Sequence, residues 1–196
     1  MEIIAKPLYS LIPLEQFKLI LGIDDREDKL SRFCLIAATH SIEQYCKRRL
    51  LRRKHFEKIE YNGDLLLPMR EYPVVLLLST QGVFTNGTII NGIVLGTIPD
   101  FTSNIDVPFL IELASIAKNY RALKYIQVTY RAGYTAGNVP PDLASACLEL
   151  AAWNMSRYRS RRIGMTGSVR KDGEHLEMVM PQNVKALLEP YRRKTI

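Results

Sequence analysis

Apolar residues recur at three- and four-residue steps near both ends of the chain and at two-residue steps in between, so the pattern runs from helix to strand and back to helix. Leu14 to Leu21 reads as a short helix. Pro13 stands at its first position, where the missing N–H costs nothing, and Gly22 is its stop. A longer helix follows, with Asp24 or Asp25 as N-cap and Glu27 and Asp28 favourably placed in its first turn. Leu30, Phe33, Cys34, Ala37, Ala38, Ile42, Tyr45 and Cys46 fall on one face of it, and the small Ala37 and Ala38 let another helix approach closely. From about residue 54 to 131 the pattern is that of strands: 56–61, then the Asn62-Gly63-Asp64 turn, 65–67, and 74–78. Residues 83–90 read as a hairpin in which Asn86-Gly87 supplies the positive φ angles of a type I′ turn. Residues 93–95, 109–113 and 125–131 are further strands, and 96–108 a loop. A third helix spans about 142–159, with Leu143, Ala146, Cys147, Leu150 and Trp153 or Asn154 on its inner face. Glycines between 164 and 173 then mark a hinge, and Pro181 starts a last short helix ended by Pro190.

These elements predict an α+β protein, mainly α: a bundle of helices from both chain ends, a small β-rich insertion, and an extended C-terminal tail with a short helix. The expected divisions are N-terminal core helices over 1–53, the β-rich insertion over 54–131, a core helix over 132–160 and a flexible arm over 161–196. The arm's helix carries Val184, Leu187 and Leu188 on one side, too few apolar residues to stand alone, and so calls for a partner groove. Trp153 is expected in the core. Met165, Met178 and Met180 offer either a soft contact strip or plain loop positions.

A chain of 196 residues is long enough for one domain with a sizeable core, and 47% hydrophobic with 24% charged residues is ordinary for a soluble globular protein. No run of about 18 apolar residues exists, which argues against a membrane span, and the N-terminal stretch does not read as a signal peptide. Cys34, Cys46 and Cys147 form no paired spacing and read as buried free thiols. The formal charge is +7 and unevenly spread: −2 over residues 1–46, +5 over 47–70, −2 over 71–156 and +6 over 157–196. Each basic segment follows a long helix, and such asymmetry points to a surface that meets an anionic partner.

Polar groups suited to catalysis are missing from the sequence. His40, His55 and His175 stand alone, without metal-ligand spacing, and no nucleophile elbow, Walker loop or dinucleotide fingerprint occurs. Asp24, Asp25, Glu27 and Asp28 are explained by helix capping. The reading is a non-enzyme with no metal and no cofactor. The basic clusters are sharper. Lys47, Arg48, Arg49, Arg52, Arg53 and Lys54 put six cations into eight positions. Arg157, Arg159, Arg161 and Arg162 surround Tyr158, while Arg192, Arg193 and Lys194 follow Tyr191. Complementing a helix macrodipole explains one or two of these in each cluster. The rest suit phosphate contact or protein hot spots equally.

Residues 125–162, a strand followed by Ala132-Gly133-Tyr134, Val139-Pro140-Pro141-Asp142-Leu143, and a helix reaching Ala151-Ala152-Trp153 with a Tyr/Arg end, resemble the head–tail connector (head-completion) proteins of tailed bacteriophages. The N-terminal run 14–25, with Glu27-Asp28-Lys29-Leu30 and a helix closing at Tyr45-Cys46-Lys47-Arg48-Arg49, resembles the opening of the same family. The resemblance implies a structural protein of the virion, assembled in the host cytoplasm as a ring of about twelve copies. It would dock on the portal protein, extend the DNA channel and present a surface for a stopper or tail-completion protein. DNA would pass through without specific binding, and no membrane is involved. Portal or neighbouring-subunit contacts would come from Arg157, Arg159, Arg161, Arg162, Pro181, Val184, Leu187, Leu188, Tyr191, Arg192 and Arg193, with Arg48, Arg49, Arg52 and Arg53 as a second basic surface. The alternative is a nucleic-acid-binding protein that uses residues 47–54 and 157–162.

Overall fold

The computed structural model describes residues 10–61, 66–91, 94–98, 110–113, 122–135, 137–160 and 180–193. The chain forms two compact units, Met1–Lys47 with Thr135–Ile196, and Arg48–Tyr134. The expected hinge at 164–168, Met165, Met178, His175, the Asn62-Gly63-Asp64 turn and the loop beyond residue 98 lie outside the described residues.

The first unit contains α1 (Leu14–Leu21), α2 (Asp28–Cys46), α3 (Pro141–Arg159) and α4 (Gln182–Leu188). Gly22 ends α1 in the left-handed conformation, φ +62°, and Pro13 caps its start instead of occupying its first turn. Before α2 the chain makes a 3-10 turn over Asp25–Glu27, with the Asp24 carboxylate accepting from the Arg26 N–H at 3.1 Å. The buried face of α2 is Ser31, Cys34, Leu35, Ala38, Thr39, Ile42, Glu43 and Cys46. It is rotated from the apolar stripe read in the sequence: Phe33 is 54% exposed, its ring edge-on to Tyr158 at 5.6 Å. The physical reason lies in two small hydroxyls. Ser31 donates to Met155 Sδ at 3.9 Å, while Thr39 meets Cys147 Sγ at 3.7 Å and accepts from the Leu11 N–H at 3.1 Å. Satisfied in this way, they can be buried at the contact. The pairs 31–155 and 39–147 run in opposite directions, so α2 and α3 are antiparallel, with Ala38, Ala146 and Ala151 buried in the same unit.

The C-terminal helix corrects the expectation of an extended arm for the part described. α4 packs against α3 and α2, and Met180, Val184, Leu188 and Tyr191 are buried. Tyr45 Oη donates to Glu189 at 2.9 Å, the Arg193 N–H donates to the Cys46 carbonyl at 2.9 Å, and Asn183 bonds Glu149. The groove that this short amphipathic helix requires is supplied by its own chain.

Among the described residues the second unit holds seven strands: β1 (Arg53–Glu60), β2 (Leu66–Pro68), β3 (Val74–Phe84), β4 (Ile89–Asn91), β5 (Val94–Ile98), β6 (Leu110–Leu113) and β7 (Leu123–Ala132). One sheet has the order β1-β7-β3-β4 and a second β2-β6-β5, all antiparallel. β3 is longer than its apolar run suggests. It continues through Ser79, Thr80, Gln81 and Gly82, with bulges at Val75 and Leu78 relative to β7. The β3–β4 turn is not type I′, because Gly87 alone in it has positive φ, +83°. Gly87 N–H donates to Phe84 O and Phe84 N–H to Thr88 O, closing a three-residue loop with glycine at the left-handed position. One face of the larger sheet is core: Ile126, Val128, Tyr130 and Ala132 with Met69 and Leu123, flanked by Ile59, Val74 and Leu77.

Candidate partner-binding surfaces

Alternation along β1 sorts its side chains between two environments. Glu57 is buried, and His55 and Ile59 are half-buried, on the core face. There Tyr130 Oη donates to Glu57 at 2.8 Å and accepts from the Glu71 N–H at 3.2 Å, while the Arg70 N–H donates to Glu57 at 3.2 Å. Burial, and then the Glu57 charge, push the Tyr130 phenol far above its usual range, so it stays a donor at any working pH. The His55 ring lies 5.5 Å from the Tyr130 ring, and its Nε2 has no hydrogen-bond partner among the described residues. Burial is the main influence on His55 and holds its pKa below the ordinary 6.5, against the opposing pull of Glu71. The unfolded chain therefore takes up this proton first. The resulting stability is complete above about pH 6.5 and is lost as pH falls towards the depressed folded value. Unfolding midpoints of the β unit should fall over that interval, and His55→Gln should flatten the slope. An unchanged slope in that variant would show that His55 is not the titrating group.

The opposite face of the sheet is open. Lys54, Phe56, Lys58 and Glu60 project from β1, and Phe56 is 67% exposed. Registration runs across β1, β7 and β3 from Lys54 to Arg131 to Leu76, from Phe56 to Thr129 to Ser79, and from Lys58 to Gln127 to Gln81. Lys58 Nζ also sits 3.9 Å over the Tyr125 ring. Two half-buried or exposed aromatic rings and three cations thus share a face with a single carboxylate, Glu60. The sequence marked 56–61 as a strand, but with Phe56 and Ile59 on opposite faces, which set of side chains faces out could not be read from it.

The basic groups singled out in the sequence do not form one surface. Arg48 is only 3% exposed, so it is no surface group; its guanidinium lies 3.9 Å over the Tyr72 ring. The Arg49 N–H donates to Glu71 at 2.8 Å, and Arg52 and Arg53 are exposed where the chain enters β1. Arg157 stacks on half-buried Trp153 at 4.5 Å, leaving that ring at the margin of the core. Arg159 is bidentate to Glu27, with one bond of 2.9 Å. Arg161 and Arg162 lie outside the described residues. Val184, Leu188 and Tyr191 are fully buried, whereas Leu187 and Pro181 are half-buried and Arg192 is exposed, 5.5 Å over the Tyr45 ring.

A second apolar exposure, not singled out in the sequence, is the end of α1. Leu19 is 84% exposed, and Ile20 and Leu21 are exposed beside it. In LEQFKLIL, Leu14, Phe17 and Leu21 fall on one face while Leu19 falls on the other side between Glu15 and Gln16, and that apolar residue on the polar side was the available signal.

Among the described residues no group of three His, Cys, Asp or Glu side chains could hold a metal ion. Cys34, Cys46 and Cys147 are buried thiols outside any disulfide, and burial pushes Cys34 and Cys147 up to about 11. No described helix is long and apolar enough to cross a membrane.

No protein-family model and no curated protein sequence matches the chain. Solved structures do. The chain is similar to a protein in the neck of an empty gene transfer agent (GTA) particle computed with sixfold symmetry, at 22% identity and TM-score 0.63, covering 100% of this chain and 96% of that one. It is similar to one in the neck of the native GTA particle computed with twelvefold symmetry, at 21% identity and TM-score 0.58, covering 100% and 96%. A chain of the native gene transfer agent virion matches at 19% identity and TM-score 0.63, covering 98% and 95%. The chain shares the fold of these GTA particle chains, in agreement with the connector resemblance.

Proposed function

We propose that this protein is a structural head–tail connector: a ring of copies that docks on a portal protein, continues the DNA channel and offers a surface to the next head-completion or tail component. The observation that carries this reading is the likeness of the whole chain, both units included, to components of a GTA particle neck. Those necks were computed with sixfold and twelvefold symmetry, which supports a ring of about twelve copies here. The disposition of the basic groups supports a protein partner over DNA. Arg159 is already bound to Glu27, Arg157 rests on Trp153, and Arg48 is buried, so three arginines of the two clusters do not stand free for phosphates. A channel that gripped its cargo would also work against passage.

In this reading Arg161 and Arg162 meet acidic groups of the portal or a neighbouring copy. Adding the purified protein to portal-bearing, DNA-filled capsids should place a ring of density beneath the portal vertex in electron micrographs. Reversing the charge of both arginines should abolish that density and leave the circular dichroism spectrum unchanged. Normal incorporation of the double variant would remove these residues from the contact. Absence of any wild-type ring, with tight salt-dependent DNA retention, would favour the nucleic-acid-binding alternative.

A further inference from the structure

The open sheet face and the end of α1 are both apolar and carry opposite charge. On the first unit, Leu19, Ile20 and Leu21 stand proud of the helix end, and a groove of about 450 Å³ beside them is lined by Leu14, Leu19 and Ile23 with Glu15 and Asp28. Lys18, the cation in that groove, is held by Asp25 and Asp28. With Glu27 taken up by Arg159, the end of α1 carries Glu15, Asp24, Asp25 and Asp28 against Lys18, Arg26 and Lys29, a balance of −1. On the second unit, exposed Phe56 and Leu76 share the outer face of the sheet with Lys54, Lys58 and Arg131 against Glu60 alone. Large exposed apolar side chains rimmed by charge mark docking sites.

Cyclic rings have a symmetry requirement. A two-fold dimer uses one self-complementary patch, whereas each copy in a ring joins its neighbours head-to-tail through two different patches that fit each other. This chain has such a pair. We propose that the acidic, apolar end of α1 in one copy seats on the basic, apolar outer face of the β1-β7-β3 sheet in the next copy, and that this contact closes the ring. The assignment rests on the connector reading for its ring and names the surfaces that make it. Charge complementarity selects the occupant. A polyanion accounts for the sheet face and leaves the α1 end unexplained, while a second copy accounts for both at once.

Two pairs of substitutions separate the surfaces with little cost to the fold, because all four positions are exposed and the replacements suit helix and strand: Leu19→Gln with Ile20→Gln, and Phe56→Thr with Leu76→Thr. Sedimentation velocity on the full chain at concentrations up to roughly 1 mM reads the result. Wild type should form species larger than a dimer, and each double variant alone should be monomeric with an unchanged circular dichroism spectrum. An equimolar mixture of the two variants should form a dimer and stop there, since each supplies the surface the other lacks. A mixture that stays monomeric, variants that associate like wild type, or a wild type that is monomeric throughout would overturn the assignment. So would a monomeric wild type that binds single-stranded DNA through Phe56. The connector reading is distinguished from this outcome by imaging particle necks, which fails only if the chain is absent from them.

Discussion

Replacing Leu188 with alanine should lower the unfolding free energy of the helical unit by about 2–5 kcal/mol, the range for truncating a fully buried leucine. Leu188 is buried with Val184, Met180 and Tyr191, in the layer where α4 meets α3 and α2. Leu187, half-exposed next to it, is the internal control, and Leu187→Ala should cost less than about 1.5 kcal/mol. Trp153 on α3 is the only tryptophan, so its fluorescence during denaturant unfolding reports on this unit. The comparison decides between two roles for the C-terminal segment. If α4 belongs to the core of its own chain, Leu188→Ala destabilises the isolated protein. If α4 were an arm kept for a portal, the isolated protein would be indifferent to the change and only assembly would suffer.

Gly133→Ala should destabilise the β unit by at least about 2 kcal/mol, combining a strained backbone with a collision. Gly133 has φ +103°, a conformation that L side chains rarely adopt, and a Cβ built there meets Leu50 O, Leu51 C and Leu51 O at 2.7 Å. All three are backbone atoms and cannot swing away. The close approach is required by the pairing around it. Tyr134 N–H donates to Leu50 O at 2.7 Å, Arg52 N–H to Tyr134 O at 2.9 Å, and Gly133 N–H to Pro73 O at 3.0 Å. Hydrogen exchange should accelerate in peptides covering β1 and β7. Gly137→Ala, where φ is not positive and nothing lies within 4 Å, should leave exchange unchanged. Equal protection in Gly133→Ala and wild type would mean that the crossing of 50–52 over 133–134 is not structurally required.

Much of this fold was legible from punctuation. Pro13 and Gly22 delimit α1, Pro140-Pro141 opens α3, and Pro181 precedes α4, each to within a residue or two, because these residues act through local backbone geometry. Decisions made by distant partners were not legible. Leu35 displaced Phe33 from the core because Ser31 and Thr39 found bonding partners more than a hundred residues away, on α3. Arg48 looks like one of six solvated cations until Tyr72, 24 residues on, covers it. The amphipathic pattern of α4 says that a groove is needed and carries no information about whose groove it is. The same holds for the candidate surfaces. The strand over 56–61 was readable, but the choice of Phe56, and not His55, as the outward residue came from the core built around Tyr130.

The central claim is that this chain builds a neck. Its most direct test is cryo-electron microscopy of particles assembled with an epitope-tagged copy of the chain, averaged about the portal axis without imposed copy number and labelled with an antibody fragment against the tag. The account predicts a ring of this two-unit fold, about twelve copies, between portal and tail, with the label confined to it. Label spread over the capsid or bound to packaged DNA, with a neck density that does not accept this fold, would contradict it.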